Sequence, residues 1–140
     1  MRIVNWNCNG ALRKKLHLLD SLDADIHIIQ ECEDPLQSKD IAYKQWANNH
    51  LWTGDNKNKG LAVFAKDPIS IERIKIDSGS LQLFLPFRAN EIFFLAVWTK
   101  EANSPTFKYI GQLYKWLQLH KATIPRKNSI VIGDLNSNAC

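Results

Sequence analysis

Seven runs of apolar β-formers punctuate the chain, and the way they are spaced restricts its fold more than any other feature. The first two, "RIVNWN" and "ADIHIIQ", are separated by "GALRKKLHLLDSLD", where Leu12, Leu16 and Leu19 recur at helical spacing. A helix is therefore expected to pack back on the first strand. "ADIHIIQ" is a short continuous apolar run, as in a strand buried on both faces. "KDIAYKQWANNH" predicts a weaker helix with Ile41, Tyr43 and Trp46 on or near one face. Then "GLAVFAK", "ISIERIKI", "LQLFLPF" and "EIFFLAVWT" follow as four strands, separated by "DP", "DSGS" and "RAN". They read as an antiparallel meander. Ile69, Ile71, Ile74 and Ile76 break the alternation, so a bulge near Glu72 and Arg73 is expected. "NSP" places a polar cap before a first-turn proline, and a helix follows with Phe107, Ile110, Leu113, Trp116 and Leu117 on its stripe. "SIVIGD" closes the series as a buried strand. The order is βαβα, four strands, then αβ, the pattern of an α/β domain with mixed sheets and helices on the outer faces. A small doubly wound domain would suit the first two units but not the meander.

At 140 residues, with 45% hydrophobic and 23% charged side chains, the chain suits a single folded domain rather than a disordered segment. No apolar stretch approaches the roughly 20 residues that cross a bilayer. "MRIVNW" lacks the apolar core of a signal peptide, so a cytoplasmic protein with no membrane partner is the expectation. Cys8, Cys32 and Cys140 are odd in number and contain no C-x-x-C pair, which argues against a disulfide framework or a zinc ribbon. A formal charge of +4 and a pI near 9.0 suit a polyanionic substrate without requiring one.

Polar clusters sit where predicted strands run out: "WNCNG" with Asn7 and Asn9, "QECED" with Glu31, and "GDLNSN" with Asp134, Asn136 and Asn138. In open α/β sheets ligands gather at strand ends, so one site can collect all three clusters. Carboxylate and amide oxygens are hard donors that suit Mg²⁺ or Mn²⁺, and Mg²⁺ needs few of them because it keeps its waters. Taken singly, each cluster has a plainer reading. Asn9 could cap a helix, "ECEDP" could be a solvated acidic turn, and "GDLNSN" could be a turn or a cap. His17, His27, His50 and His120 are scattered and share no ligand spacing. Neither G-x-x-x-x-G-K-[ST] nor G-x-G-x-x-G is present, which disfavours a nucleotide-binding domain.

Taken in order, "RIVNWNCNG", "ADIHIIQECED", "KGLAVFAK" and "VIGDLNSN" resemble the successive motifs of the endonuclease/exonuclease/phosphatase superfamily, which includes exonuclease III and deoxyribonuclease I. The resemblance implies a four-layered α/β sandwich of two packed sheets. By position, Glu31 resembles the principal metal-binding glutamate and Asn7 the amide near the metal. Asp134 resembles the aspartate that orients or deprotonates the attacking water, and Asn136 the asparagine that helps hold the phosphate and that aspartate. Asn9 stands where several nucleases carry an aspartate. Trp98 falls near a phosphate-contacting tyrosine of some members, although a core aromatic at a strand end is the simpler reading. Lys57 and Lys59 in "DNKNKG" are candidate backbone-phosphate contacts, as are Arg13, Lys14 and Lys15.

In the superfamily the G-D-x-N motif lies near the middle of the domain, followed by an Asp–His pair and a terminal S-D-H motif that this sequence does not contain. Residues 1–140 thus resemble a single incomplete domain, truncated at the C-terminus. The implied function is divalent-metal-dependent phosphoester hydrolysis, with Mg²⁺ or Mn²⁺ as cofactor and nucleic acid as the favoured substrate. A phosphoinositide or small phosphoester stays open, and the isolated chain is expected to be feeble. The alternative is an inactive fragment or binding module of the same fold. Truncation also predicts uncovered apolar faces, with Phe84, Phe87, Phe93, Phe94 and Trp98 as the exposed set and self-association as the result.

Overall fold

A computed structural model describes residues 1–76, 83–99 and 110–136. Its strands are β1 (Ile3–Asn7), β2 (Ile26–Cys32), β3 (His50–Asn56), β4 (Lys59–Ala65), β5 (Ile71–Arg73), β6 (Phe84–Ala89), β7 (Ile92–Trp98) and β8 (Ser129–Asp134). The helices are α1 (Ile41–Trp46) and α2 (Ile110–His120). Four strands form one sheet in the order β1-β2-β4-β3, and four form a second in the order β5-β6-β7-β8. The pairs β1–β2 and β7–β8 are parallel, while the other pairs are antiparallel. The Asn103-Ser104-Pro105 cap, Phe107, Asn138 and Cys140 lie outside the described residues.

The two-residue period of a strand sorts the side chains into layers. Ile26, Ile28, Leu61 and Val63 from the first sheet meet Leu85, Phe87, Phe94, Ala96 and Trp98 from the second. Phe87 and Phe94 stack there, with ring centroids 4.8 Å apart. The alternate residues Ile29, Ala62 and Phe64 face the other way and are covered by Leu12, Leu19 and Tyr43. Phe93, Leu95 and Val97 are covered by Leu113 and Trp116 of α2. Strands buried on both faces need apolar residues at every position, hence the unbroken runs "IHII" and "IFFLAVW". The result is a mixed α/β sandwich of four layers.

Several expectations are corrected. The segment after β1 is not a helix packed on the strand but three 3-10 turns, Leu12–Lys14, Leu16–Leu18 and Asp20–Leu22. Ala11 at φ 52° and Asp23 at φ 46° lie in the left-handed region and bound the segment. Its first amide is also held from outside, because Leu12 N–H donates to Glu33 Oε1 at 2.9 Å. Leu16 and Leu19, three apart, suit a 3-10 period as well as an α-helical one. In α1, Asp40 caps by accepting from Tyr43 N–H and Tyr43 is buried, but Ile41 is 72% exposed.

β3 was not anticipated, and it makes a hairpin with β4 around Lys57 and Asn58. β4 therefore belongs to the first sheet, and only β5, β6 and β7 form the meander. The bulge expected near Glu72 and Arg73 is absent, because β5 pairs in regular register through both. β8 is half-buried rather than buried, because it pairs only with β7 and lies at the end of its sheet. Phe84, Phe87, Phe93, Phe94 and Trp98 are all buried, so the aromatic meander is covered by α2 and by the first sheet.

Candidate active site

β1, β2 and β8 end side by side, and the predicted polar residues collect there. Asn7, the last residue of β1, donates from Nδ2 to Asp134 Oδ2 at 2.8 Å, across 127 positions of sequence and from one sheet to the other. Its carbonyl, Oδ1, accepts the backbone N–H of Asn9 at 3.1 Å. The second oxygen of Asp134 accepts the backbone N–H of Asn136 at 3.2 Å. Both carboxylate oxygens are thus held by donors, which fixes the plane of the group. Asn136 adopts φ 46°, a conformation that asparagine tolerates better than most residues, and its Nδ2 donates to Thr99 O at 2.7 Å. Thr99 in turn donates its backbone N–H to Asp134 O at 3.1 Å, tying the end of β7 to the end of β8.

Glu31 reaches the same edge by a different device. Gln30 pairs with Leu61 and Cys32 with the adjacent Gly60, so Glu31 is an extra residue in β2. It sits at φ 62°, in the left-handed region. This is a β-bulge, the element that re-aims one side chain at the rim of a sheet. Glu31 O accepts from Gly10 N–H at 2.9 Å, which fastens the bulge to the loop after β1. Lys59, the first residue of β4, brings its ammonium to 3.3 Å from Glu31 Oε1.

Gly133 explains its own place before Asp134. A Cβ built there would lie 1.8 Å from Val97 O, so β8 can lie against β7 at this point only without a side chain. Its carbonyl accepts Asn5 Nδ2 at 3.3 Å, and Asn5 Oδ1 accepts Gln30 Nε2 at 2.7 Å. Asn5, Asn7, Gln30, Gly133, Asp134, Leu135 and Asn136 together line one open polar cleft.

Of the predicted residues, Asn7, Asp134 and Asn136 form one hydrogen-bonded group, and Asn9 joins it through its backbone. Glu31 and Lys59 form a second group at the neighbouring strand end. Lys57 is exposed in the β3–β4 turn, and its carbonyl accepts from Asp34 N–H at 2.8 Å. Trp98 is 6% exposed and packs in the inter-sheet core, the simpler of the two readings its position allowed. Asn5, Gln30, Gly133 and Thr99 were not singled out from sequence. The signal for Asn5 was its two-residue offset from Asn7, and for Gln30 a polar residue ending an apolar run.

Among the described residues no cluster of three or more His, Cys, Asp or Glu is placed to hold a metal. The oxygens at hand are the Glu31 and Asp134 carboxylates and the Asn7 carbonyl, while the Gln30 side chain is fully buried. That is a sparse, hard donor set, and it fits Mg²⁺ or Mn²⁺, which retain much of their water. Cys8 and Cys32 do not compete for a metal, since burial pushes both thiols up, away from thiolate formation.

No protein-family model and no curated protein matches the chain. Solved structures do. An AP endonuclease from Archaeoglobus fulgidus superposes with a TM-score of 0.68 at 19% identity, over 97% of this chain and 57% of that one. The 3'-5' exonuclease NExo from Neisseria meningitidis gives 0.64 at 19% identity, over 97% and 58%. D. rerio TDP2, complexed with a single-strand DNA product, gives 0.61 at 16% identity, over 99% and 62%. The chain spans less than two thirds of the length of each. In its described residues, the chain has the fold of the endonuclease/exonuclease/phosphatase superfamily that its motifs resemble.

Proposed function

We propose that the cleft is the working part of a divalent-metal-dependent phosphoester hydrolase acting on nucleic acid. The observation that carries this reading is the Asn7–Asp134 hydrogen bond, with the second oxygen of Asp134 held by Asn136. A carboxylate clamped on both oxygens is preorganised to orient a water without first ordering itself. Glu31 and Asn7 would hold Mg²⁺ or Mn²⁺, which when bound supplies charge neutralisation at the phosphate. Asp134 positions the attacking water and takes its proton. Asn136 holds the loop after β8 against Thr99, and Asn9 fixes the Asn7 amide through its backbone N–H. Lys57 and Lys59 stand on the β3–β4 hairpin beside Glu31, where they can contact the phosphates of a strand. The net charge of +4 and the DNA product held by the TDP2 of similar fold support nucleic acid over a small ester.

One observation favours a second reading. Glu31 already carries the Lys59 ammonium, so the site can balance its own charge and could bind a phosphoester without cleaving it. One assay separates the two. Duplex DNA, single-stranded DNA and a generic phosphodiester are incubated with Mg²⁺, with Mn²⁺ or with EDTA, beside Glu31→Gln. Metal-dependent cleavage lost in Glu31→Gln supports the hydrolase. Binding without cleavage by folded protein supports the binding module.

A further inference from the structure

Arg13, Lys14 and Lys15 follow one another after β1, and in the sequence all three are candidate phosphate contacts. Their settings in the fold differ. Arg13 pairs with the buried Glu33 at 2.7 Å, Lys14 is exposed, and Lys15 is half-buried and turned inward. Lys15 Nζ donates to Cys8 O and, at 2.8 Å, to Gly10 O. An ammonium has three donors, so two of them are committed to the protein's own backbone.

The two carbonyls belong to the loop that leaves β1. Asn9, Gly10 and Ala11 lie there at φ 56°, 82° and 52°, three left-handed residues in a row, of which only the glycine adopts that region freely. The loop also touches both strand-end groups of the site. Asn9 N–H donates to Asn7 Oδ1, and Asn7 is the amide that meets Asp134. Gly10 N–H donates to Glu31 O, on the bulge of β2. Cys8 C=O and Asn9 N–H are two ends of one planar peptide unit, so Lys15 grips it at the oxygen and Asn7 at the hydrogen. A cation on the oxygen also polarises that N–H into a better donor. The next peptide unit carries Gly10 N–H, and the unit after it carries Gly10 O. The plane that faces Glu31 is therefore bracketed by two planes that Lys15 holds.

We propose that Lys15 is a positioning residue: it fixes the loop amides that orient Asn7 and fasten the Glu31 bulge, and it is not a phosphate contact. Its bearing on hydrolysis rests on the reading of Asn7 and Glu31 given above.

The test compares wild type with Lys15→Met by nuclear magnetic resonance of the isotope-labelled full chain. Lys15→Met keeps the apolar stem and removes all the donors. Amide hydrogen exchange at Asn9 and Gly10 is expected to rise by about 10-fold or more beyond any rise at Ile28 and Leu95 in the core, and the Asn7 side-chain NH₂ signals are expected to shift. Exchange at Asn9 and Gly10 that stays at the wild-type rate, or rises only as much as the core, overturns the proposal. Unchanged Asn7 signals beside a loosened loop overturn the role in the site. In wild type, which needs no variant to fold, the Lys15 ammonium protons should exchange more slowly than those of Lys14; equal rates overturn the clamp. Binding of single-stranded DNA in EDTA, followed against salt, should show the same slope for Lys15→Met as for wild type. A slope smaller by about one would make Lys15 a phosphate contact and overturn the proposal. Wild type that binds no DNA would contradict the nucleic-acid reading alone, and the exchange rates would still decide the part played by Lys15.

Discussion

The same two sheets are joined in two places by opposite kinds of interaction. Between their faces, Ile28, Val63, Phe87, Phe94 and Trp98 bury apolar surface, a force that is large, non-directional and shared among many contacts. At their ends, two amides on β1 reach across to two successive residues of β8, Asn5 to Gly133 and Asn7 to Asp134. Those bonds are few and directional. The core holds the sheets at the right spacing, whereas the seam decides where two carboxylate oxygens point. Losing one side chain from the core should therefore weaken the whole fold while leaving the chemistry of the surviving folded protein intact. Losing one from the seam should cost less stability, on the order of a hydrogen bond (about 1 kcal/mol), and disturb the site more.

Phe94→Ala should have the largest effect on stability. It removes a fully buried ring stacked on Phe87, and about 3–5 kcal/mol is expected from such truncations, read by urea unfolding. Gly133→Ala comes next, because the added methyl drives into Val97 O of β7. Overpacking of this kind costs about 1–3 kcal/mol, and here it should also displace Asp134, so stability and cation affinity fall together.

A pH effect of intermediate size is expected from His27. Burial lowers its pKa below the ordinary histidine value of 6.5, and the ring packs on Trp46 at 5.5 Å. The unfolded chain then binds the proton more readily than the folded one, so the contribution of the neutral ring is complete above that value and declines as pH falls through it. Replacing His27 by Phe should flatten the pH dependence of the unfolding midpoint between neutral and mildly acidic conditions. Lys59→Met should move stability least. The pair is half-exposed and contributes under about 1 kcal/mol. It should nevertheless tighten Mn²⁺ binding, by removing a cation that competes for Glu31. Unchanged or weaker binding would show that Lys59 does not compete there.

The fold was legible where local pattern and burial agree. The continuous runs in β2 and β7 announced strands covered on both faces, and Leu113, Trp116 and Leu117 marked the packed side of α2. Pairing was less legible, because it is decided by partners far along the chain. "GLAVFAK" looks like the start of the meander, yet β4 lies between β2 and β3 in the other sheet. "HLWTGDN" lacks the apolar run of a strand because all of β3 is partly exposed at a sheet edge. Gly60 takes its place there for Trp52, whose ring lies where a Cβ would be, and no local pattern announces that contact.

The site was legible in its residue types but not in its connections. Asn7, Glu31, Asp134 and Asn136 stand at strand ends as expected, but the bulge that turns Glu31 is a matter of register between β2 and β4. Asn5, which accepts from Gln30, reaches a carbonyl on the other sheet 128 residues away in sequence.

The most direct measurement is a double-mutant cycle on the seam. Asn7→Ala, Asp134→Ala and the double variant are unfolded in urea beside wild type. If the hydrogen bond between them joins the two sheets, the double variant loses less than the sum of the single losses, with a coupling of about 0.5–3 kcal/mol. Losses that add to within about 0.5 kcal/mol would contradict the account, because Asn7 and Asp134 would then be separate surface residues rather than one site built across two sheets.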